Sequence, residues 1–253
     1  MIKIIGAKTK EEVGVAAADV LSSVIKEKSD AVLGLATGSS PIEMYSELVR
    51  RNKAGEISFR DVKTVNLDEY VGLAPDHDQS YAYFMHKNLF DRIDIDPKNT
   101  NLPDGLAKDP EAERKRYDAV VASMGGIDIQ VLGIGLNGHI GFNEPSDAFS
   151  EGTGLIDLTP STIDANSRFF QDRSLVPTQA FSMGVGQIMS AKKILLIATG
   201  EGKAEILERS LFGEITPWVP ASILQKAEDV VVCADTAALK YILEKHPESV
   251  ELI

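Results

Sequence analysis

A chain of 253 residues that is 43% hydrophobic can bury a sizeable core, as one large α/β domain or two small ones, and no compositional break divides it. Its 26 basic against 38 acidic residues leave a net charge of −12, a field that repels phosphate backbones and anionic lipid and argues against nucleic acid or membrane as a partner. The single cysteine, Cys233, lies in the apolar run VVVCA, which excludes an intrachain disulfide and fits a buried, reduced thiol.

The first residues, MIKIIGAKTKEEV, carry neither the apolar core nor the cleavage pattern of a secretion signal, and no window approaches a membrane span, so a cytoplasmic protein is expected. After a β-like run at Met1 to Ile5, Thr9 and Glu12 form a capping-box signature, and Val13, Ala16, Ala17, Val20, Leu21, Val24 and Ile25 fall on one helical face. Ala31 to Ala36 reads as a buried strand. It ends in Thr37, Gly38, Ser39, Ser40 and Pro41, after which helical spacing resumes up to Lys53. Such a strand, turn and helix start can present free N–H groups and the positive end of a helix dipole to an anion, or be an ordinary βα turn. The turn lacks the Walker lysine and the spaced glycines of a dinucleotide fingerprint, so no nucleotide cofactor is indicated.

Val62 to Leu67 is the next strand and runs into Asp68, Glu69 and Tyr70. If it is parallel to its predecessor, Asp68 emerges at the same sheet edge as the Gly/Ser turn, where ligands of open α/β sheets bind. A solvated acidic turn is the other reading. Helical patterns follow at Tyr81 to Ile93 and from Asp109 to Met124. A strand from Ile127 to Leu132 then leads into GIGLNGHIGFNEP, Gly133 to Pro145. That stretch combines four glycines with an amide, an imidazole and a carboxylate: Asn137, His139 and Glu144. Beyond it come a short β-like run, LIDL, Arg168 before two phenylalanines, and strand-length runs at Ala180 to Met183, Lys193 to Thr199 and Val230 to Ala234. Lys203 falls in the first turn of a helix over Ala204 to Phe212, where a cation opposes the helix dipole and suits a phosphate clamp better than a structural role. Trp218, between Pro217 and Pro220, is expected to pack under the PASIL turn. The alternation reads as a Rossmann-like α/β fold, a mostly parallel central sheet flanked by helices, in one domain spanning 1–253.

LGLATGSSP, NLDEYVGL, SYAYFM, GIGLNGHIGFNEP and ANSRFF together resemble the glucosamine-6-phosphate deaminase/isomerase family. The resemblance runs from the first strand to the final helices, and the conjunction of NLDEY with GHIGFNEP is its most specific part. It implies conversion of glucosamine 6-phosphate and water to fructose 6-phosphate and ammonia, without metal or organic cofactor. It further implies Asp68 as the base that takes the C2 proton, and His139, held by Asn137 and Glu144, as the group that opens the sugar ring. Gly38, Ser39, Ser40, Arg168 and Lys203 would surround the sugar phosphate. The chemistry of those residue types agrees. An isomerisation needs a base beside a carbonyl, and an imidazole oriented by a carboxylate can move protons near neutral pH. Local cations answer the adverse net charge.

Two departures stand out. Some members carry Asp where this chain has Asn137, and allosteric members carry basic residues where this chain has GTGLID at Gly152 to Asp157, so no sugar-phosphate effector is expected. The rival readings are a 6-phosphogluconolactonase, whose reaction needs no enolising base, a sugar-phosphate sensor domain, and a deaminase of the galacto epimer, which sequence does not distinguish. Oligomeric state is not legible either.

Overall fold

The computed structural model describes residues 2–167 and 170–253. The first capping box forms as the sequence suggests. Thr9 Oγ1 accepts from the Glu12 amide at 3.1 Å and Glu12 returns a carboxylate oxygen to the Thr9 amide at 3.0 Å, starting helix α1 (Lys10–Glu27) after strand β1 (Ile2–Ala7). Strand β2 (Val32–Leu35) leads to helix α2 (Ile42–Lys53) and then to strand β3 (Lys63–Asn66). Strand β4 (Asp68–Tyr70), helix α3 (Tyr81–Asn88) and strand β5 (Thr100–Asn101) follow, and helix α4 (Pro110–Ser123) returns the chain to strand β6 (Ile129–Leu132). The helical pattern expected to reach Ile93 stops earlier, because the chain tightens into a 3-10 turn at Phe90–Arg92.

The second half comprises strand β7 (Gly154–Asp157), helix α5 (Pro160–Ser167), strand β8 (Gln179–Ser182), helix α6 (Val185–Met189) and strand β9 (Ile194–Ala198). Helix α7 (Ala204–Phe212), strand β10 (Val230–Asp235), helix α8 (Lys240–Lys245) and strand β11 (Val250–Leu252) complete it. Eight strands form the main sheet in the order β11-β1-β10-β9-β6-β2-β3-β5, paired in parallel and flanked by helices. This is the expected α/β architecture. The central strands β2, β6 and β9 are buried along their whole length, as parallel strands covered on both faces must be. Cys233 is buried in β10 as a free thiol, and burial pushes it up to about 12.

Register aligns the strand ends. Leu35 of β2 lies beside Asn66 of β3, and Leu132 of β6 beside Leu196 of β9, so the loops after all four strands leave from one edge. At Leu67 the chain departs from the main sheet. The Leu67 amide still donates to Leu35 O of β2 at 3.0 Å, while its carbonyl accepts from the Met183 amide at 2.7 Å. Residues Asp68–Tyr70 then pair antiparallel with β8, which also pairs with β7, in a second, three-stranded sheet. A solvated acidic turn is therefore not what forms: Asp68 and Glu69 are both buried. The expectation for Trp218 also fails. It is 60% exposed, while its neighbours Val219 and Pro220 take the buried places. Among the described residues no helix is long and apolar enough to cross a membrane.

Helices α1 and α2 pack against one another at Gly14, where a Cβ would lie 2.8 Å from the carbonyl carbon of Glu43 and 3.0 Å from the amide nitrogen of Met44. These are backbone atoms and cannot swing aside. Gly14→Ala should therefore lower stability by about 1–3 kcal/mol, despite alanine's helix preference of about 1 kcal/mol. Urea unfolding checks this as a lower midpoint at unchanged slope.

Candidate active site

The four loops at the shared sheet edge build one cleft of about 860 Å³. After β2, Gly38 takes φ = 86°, a left-handed turn that a side chain would strain, and Ser39, Ser40 and Pro41 lead into α2. Pro41 is the cap of that helix, its first-turn donors have no capping side chain, and Ser39 and Ser40 just before it line the cleft. Gly133, the first residue after β6, lies against this turn: a Cβ there would come within 3.2 Å of Ser40 Oγ.

The loop Gly133 to Pro145 folds on itself. The Gly135 amide donates to His139 O at 2.9 Å and the Gly138 amide to Gly135 O at 3.1 Å, with Gly138 at φ = 87°. The imidazole of His139 lies directly on Gly135, in space that a Cβ would take. Asn137 Nδ2 donates to Glu144 Oε2 at 2.5 Å, and Asn137 Oδ1 accepts from the His139 amide at 3.2 Å. That leaves Glu144 Oε1 facing His139 Nδ1 at 3.4 Å. The approach is within ionic reach but misaligned for a hydrogen bond, so Nδ1 is buried without one among the described residues. Such contacts are often loose before substrate binds and tighten in the complex.

Strand β8 joins this loop to Asp68. Ser182 pairs with Asp68 across the small sheet, and its hydroxyl accepts from the Phe142 amide at 3.0 Å. Gly141 brings bare backbone against both: its Cβ would lie 3.0 Å from Ser182 Oγ and 3.8 Å from Asp68 Oδ2. Asp68 is 7% exposed and its carboxyl is pushed up to about 8, first by burial and then by the Glu69 charge. Lys203 also lines the cleft. It ends a 3-10 turn, Glu201–Lys203, just before α7 rather than within it, and its ammonium donates to Ile134 O at 2.7 Å. Burial lowers its proton affinity. One cleft thus gathers Gly38, Ser39, Ser40, Asp68, Asn137, His139, Glu144 and Lys203. Arg168 lies outside the described residues.

Tyr81 also lines the cleft and was legible only as part of SYAYFM. Its ring stacks on Phe142, with centroids 6.1 Å apart and planes 2° from parallel, and lies 4.7 Å from the ring of Tyr70. Helical spacing gave no sign of this, since the residue heads α3 and points back at the sheet edge. Among the described residues no His, Cys, Asp and Glu side chains converge as a metal-ligand set.

The family model described as glucosamine-6-phosphate isomerases/6-phosphogluconolactonase matches residues 7–233. The chain is 52% identical to a glucosamine-6-phosphate deaminase of Clostridium perfringens over 241 residues, 95% of this chain and 100% of that one. It is 46% identical to a glucosamine-6-phosphate deaminase of Thermoanaerobacter over 252 residues, 100% of each. A solved structure described as a monomeric glucosamine-6-phosphate deaminase superposes with a TM-score of 0.91 at 44% identity, covering 94% of this chain and 99% of that one.

Burying Asp68 costs stability in a defined pH window. Its folded affinity for a proton is raised above that of the unfolded chain, so the folded form retains a proton that the unfolded form releases. Stability is then lost as pH rises from about 4, the free carboxylate value, through the folded value of about 8. Asp68→Asn removes the penalty. The melting temperature of the variant should exceed that of the parent by more at pH 8 than at pH 5, as read by calorimetry.

Proposed function

The chain belongs to the glucosamine-6-phosphate isomerase/6-phosphogluconolactonase family, and from that premise we propose that it deaminates glucosamine 6-phosphate, working as one domain over residues 1–253. The reaction releases ammonia and fructose 6-phosphate at the expense of one water. The observation that carries this reading is the buried Asp68 carboxylate in the same cleft as the His139–Glu144 pair. A lactonase hydrolyses an ester and has no use for a base poised beside a C2 proton.

The sugar enters as a closed ring with its phosphate at the Gly38, Ser39 and Ser40 turn, where α2 donors and the Lys203 ammonium meet it. Arg168, by the resemblance of ANSRFF, adds a bidentate partner. His139 takes the proton from the C1 hydroxyl and delivers one to the ring oxygen, breaking the C1–O5 bond and leaving an open-chain aldehyde. Glu144 steadies the imidazole, and Asn137 steadies Glu144 by occupying its second oxygen. Asp68 then removes the C2 proton; the C2–H pair forms a C1=C2 bond while the C1=O π pair moves onto O1, which takes a proton from the substrate ammonium to give an enolamine, and return of the Asp68 proton to C1 leaves an iminium at C2. Water adds to that carbon and ammonia departs. A carboxylate as secluded as Asp68 is a stronger base than one in water, which suits removal of a carbon-bound proton.

Amino-sugar phosphate is the proposed substrate and no cofactor takes part. A second hollow of about 240 Å³ lies behind the loop, lined among the described residues by Glu144, Asp157 and mainly apolar and hydroxyl side chains.

The deciding assay is ammonia release from glucosamine 6-phosphate, with its galacto epimer and 6-phosphogluconolactone as comparators; turnover of the lactone alone would overturn the reading. Asp68→Asn should keep substrate binding while kcat falls by roughly 10² or more. Lys203→Met should weaken binding of glucosamine 6-phosphate about tenfold or more, leaving unphosphorylated glucosamine little changed, since charge-assisted bonds to phosphate contribute about 1.5–3 kcal/mol. Equal losses for both sugars in isothermal titration would remove Lys203 from the phosphate site.

A further inference from the structure

The two acids that follow Leu67 face opposite ways. On β4, Asp68 pairs with Ser182 and Glu69 with Phe181, and strand alternation sends Asp68 to the cleft and Glu69 behind the strand, where it is 3% exposed. No cation pairs with Glu69 among the described residues. Instead it accepts three backbone N–H groups: Tyr70 at 2.8 Å and Tyr81 at 2.9 Å on Oε1, and Ala82 at 2.8 Å on Oε2. The Tyr81 and Ala82 amides are the first two of α3, and Ser80 Oγ takes the third, from Tyr83, at 3.0 Å. Glu69 thus binds strand and helix start with one carboxylate; burial raises its proton affinity, and the three amides together with the positive end of the α3 dipole oppose that rise.

What this clamp holds is the cleft wall. Tyr81, the first residue of α3, stacks on Phe142 of the His139 loop, lies 4.7 Å from the ring of Tyr70, and lines the same cleft as Thr37 of the Gly/Ser turn. Displacing the helix start would disturb the ring contacts with the loop and with the strand together. We propose that Glu69 is a positioning residue for the proton-transfer step, clamping the strand that carries Asp68 to the helix that carries Tyr81 and setting the charge behind Asp68. The inference rests on the reading of Asp68 as the base. It is supported by the Glu69 charge raising the proton affinity of Asp68, second only to burial. Around Asp68 the other titratable groups among the described residues are Tyr81 from α3, His139 and Glu144 from the loop, Lys203 before α7, Asp164 from α5, and the buried Tyr45 of α2 and Tyr117 of α4. All of them remain when Glu69 alone is changed.

Two variants separate clamp from charge. Glu69→Gln keeps the side-chain length and loses the charge and one acceptor; Glu69→Asp keeps the charge and falls a methylene short of α3. In Glu69→Gln, kcat should drop about tenfold with KM barely changed. The 13C titration midpoint of the Asp68 carboxyl, assigned by its loss in Asp68→Asn, should move down by about half a pH unit or more, and the acid limb of kcat/KM should move with it. In Glu69→Asp, kcat should drop while the midpoint stays near that of the parent. A purely structural role would lower the amount of active protein and move neither midpoint nor limb. Folded Glu69→Gln with parental kcat or an unmoved Asp68 midpoint would overturn the proposal, as would parental kcat in Glu69→Asp should the Gln variant not fold. If the midpoint moves and the acid limb does not, Asp68 is not the base, and the hold of Glu69 on Asp68 stands without it.

Discussion

The site depends on Leu67, the residue at which the chain is bonded to two sheets at once. Its amide belongs to the main sheet through Leu35 and its carbonyl to the small sheet through Met183. Had β3 simply run on into solvent, Asp68 would be an ordinary carboxylate on a wet turn. Because the chain turns instead to pair with β8, Asp68 is carried under the loop that bears His139, and it loses water without gaining a paired cation among the described residues. An uncompensated buried carboxylate is expensive, and its retention here is intelligible as reactivity held at the expense of stability.

Glycine at two positions makes the imidazole half of the cleft. Gly135 has no side chain because the His139 ring occupies that space, and Gly141 has none because the Asp68 carboxylate and the Ser182 hydroxyl are close by. The loop is then fixed from outside by hydrogen bonds that carry no chemistry: the Ala221 amide to Gly138 O at 2.8 Å and Asn143 Nδ2 to Met183 O at 2.8 Å. Asn137 works within this frame. An amide there can donate to one oxygen of Glu144 without adding a second negative charge beside the imidazole, whose Nδ1 the other oxygen approaches at 3.4 Å. The cleft thus holds one ammonium, that of Lys203, anchored on Ile134 O of the same loop, together with the carboxylates of Asp68 and Glu144, among the described residues.

Much of this was legible in the chain itself. The 3.6-residue spacing after Thr9 and after Pro41, and the β-branched runs between glycines, identified α1, α2 and the buried strands, because local periodicity reports which face must leave water. The stretches GIGLNGHIGFNEP and NLDEY identified Asp68, Asn137, His139 and Glu144 as candidates, because few structural roles require an amide, an imidazole and carboxylates among glycines. Parallel pairing of β2 and β3 also followed from the crossover between them. What sequence could not decide was set by contacts between distant segments. That Asp68 faces the cleft while Glu69 turns away to hold α3 depends on antiparallel pairing with β8, more than 100 residues downstream. That Tyr81 joins the cleft depends on where α3 docks. Trp218 was expected inside and lies outside, since Val219 and not the indole fills the space against Gly138. Local pattern states which residues must be buried somewhere; only the packing of the second sheet on the first decides which carboxylate is left facing a substrate.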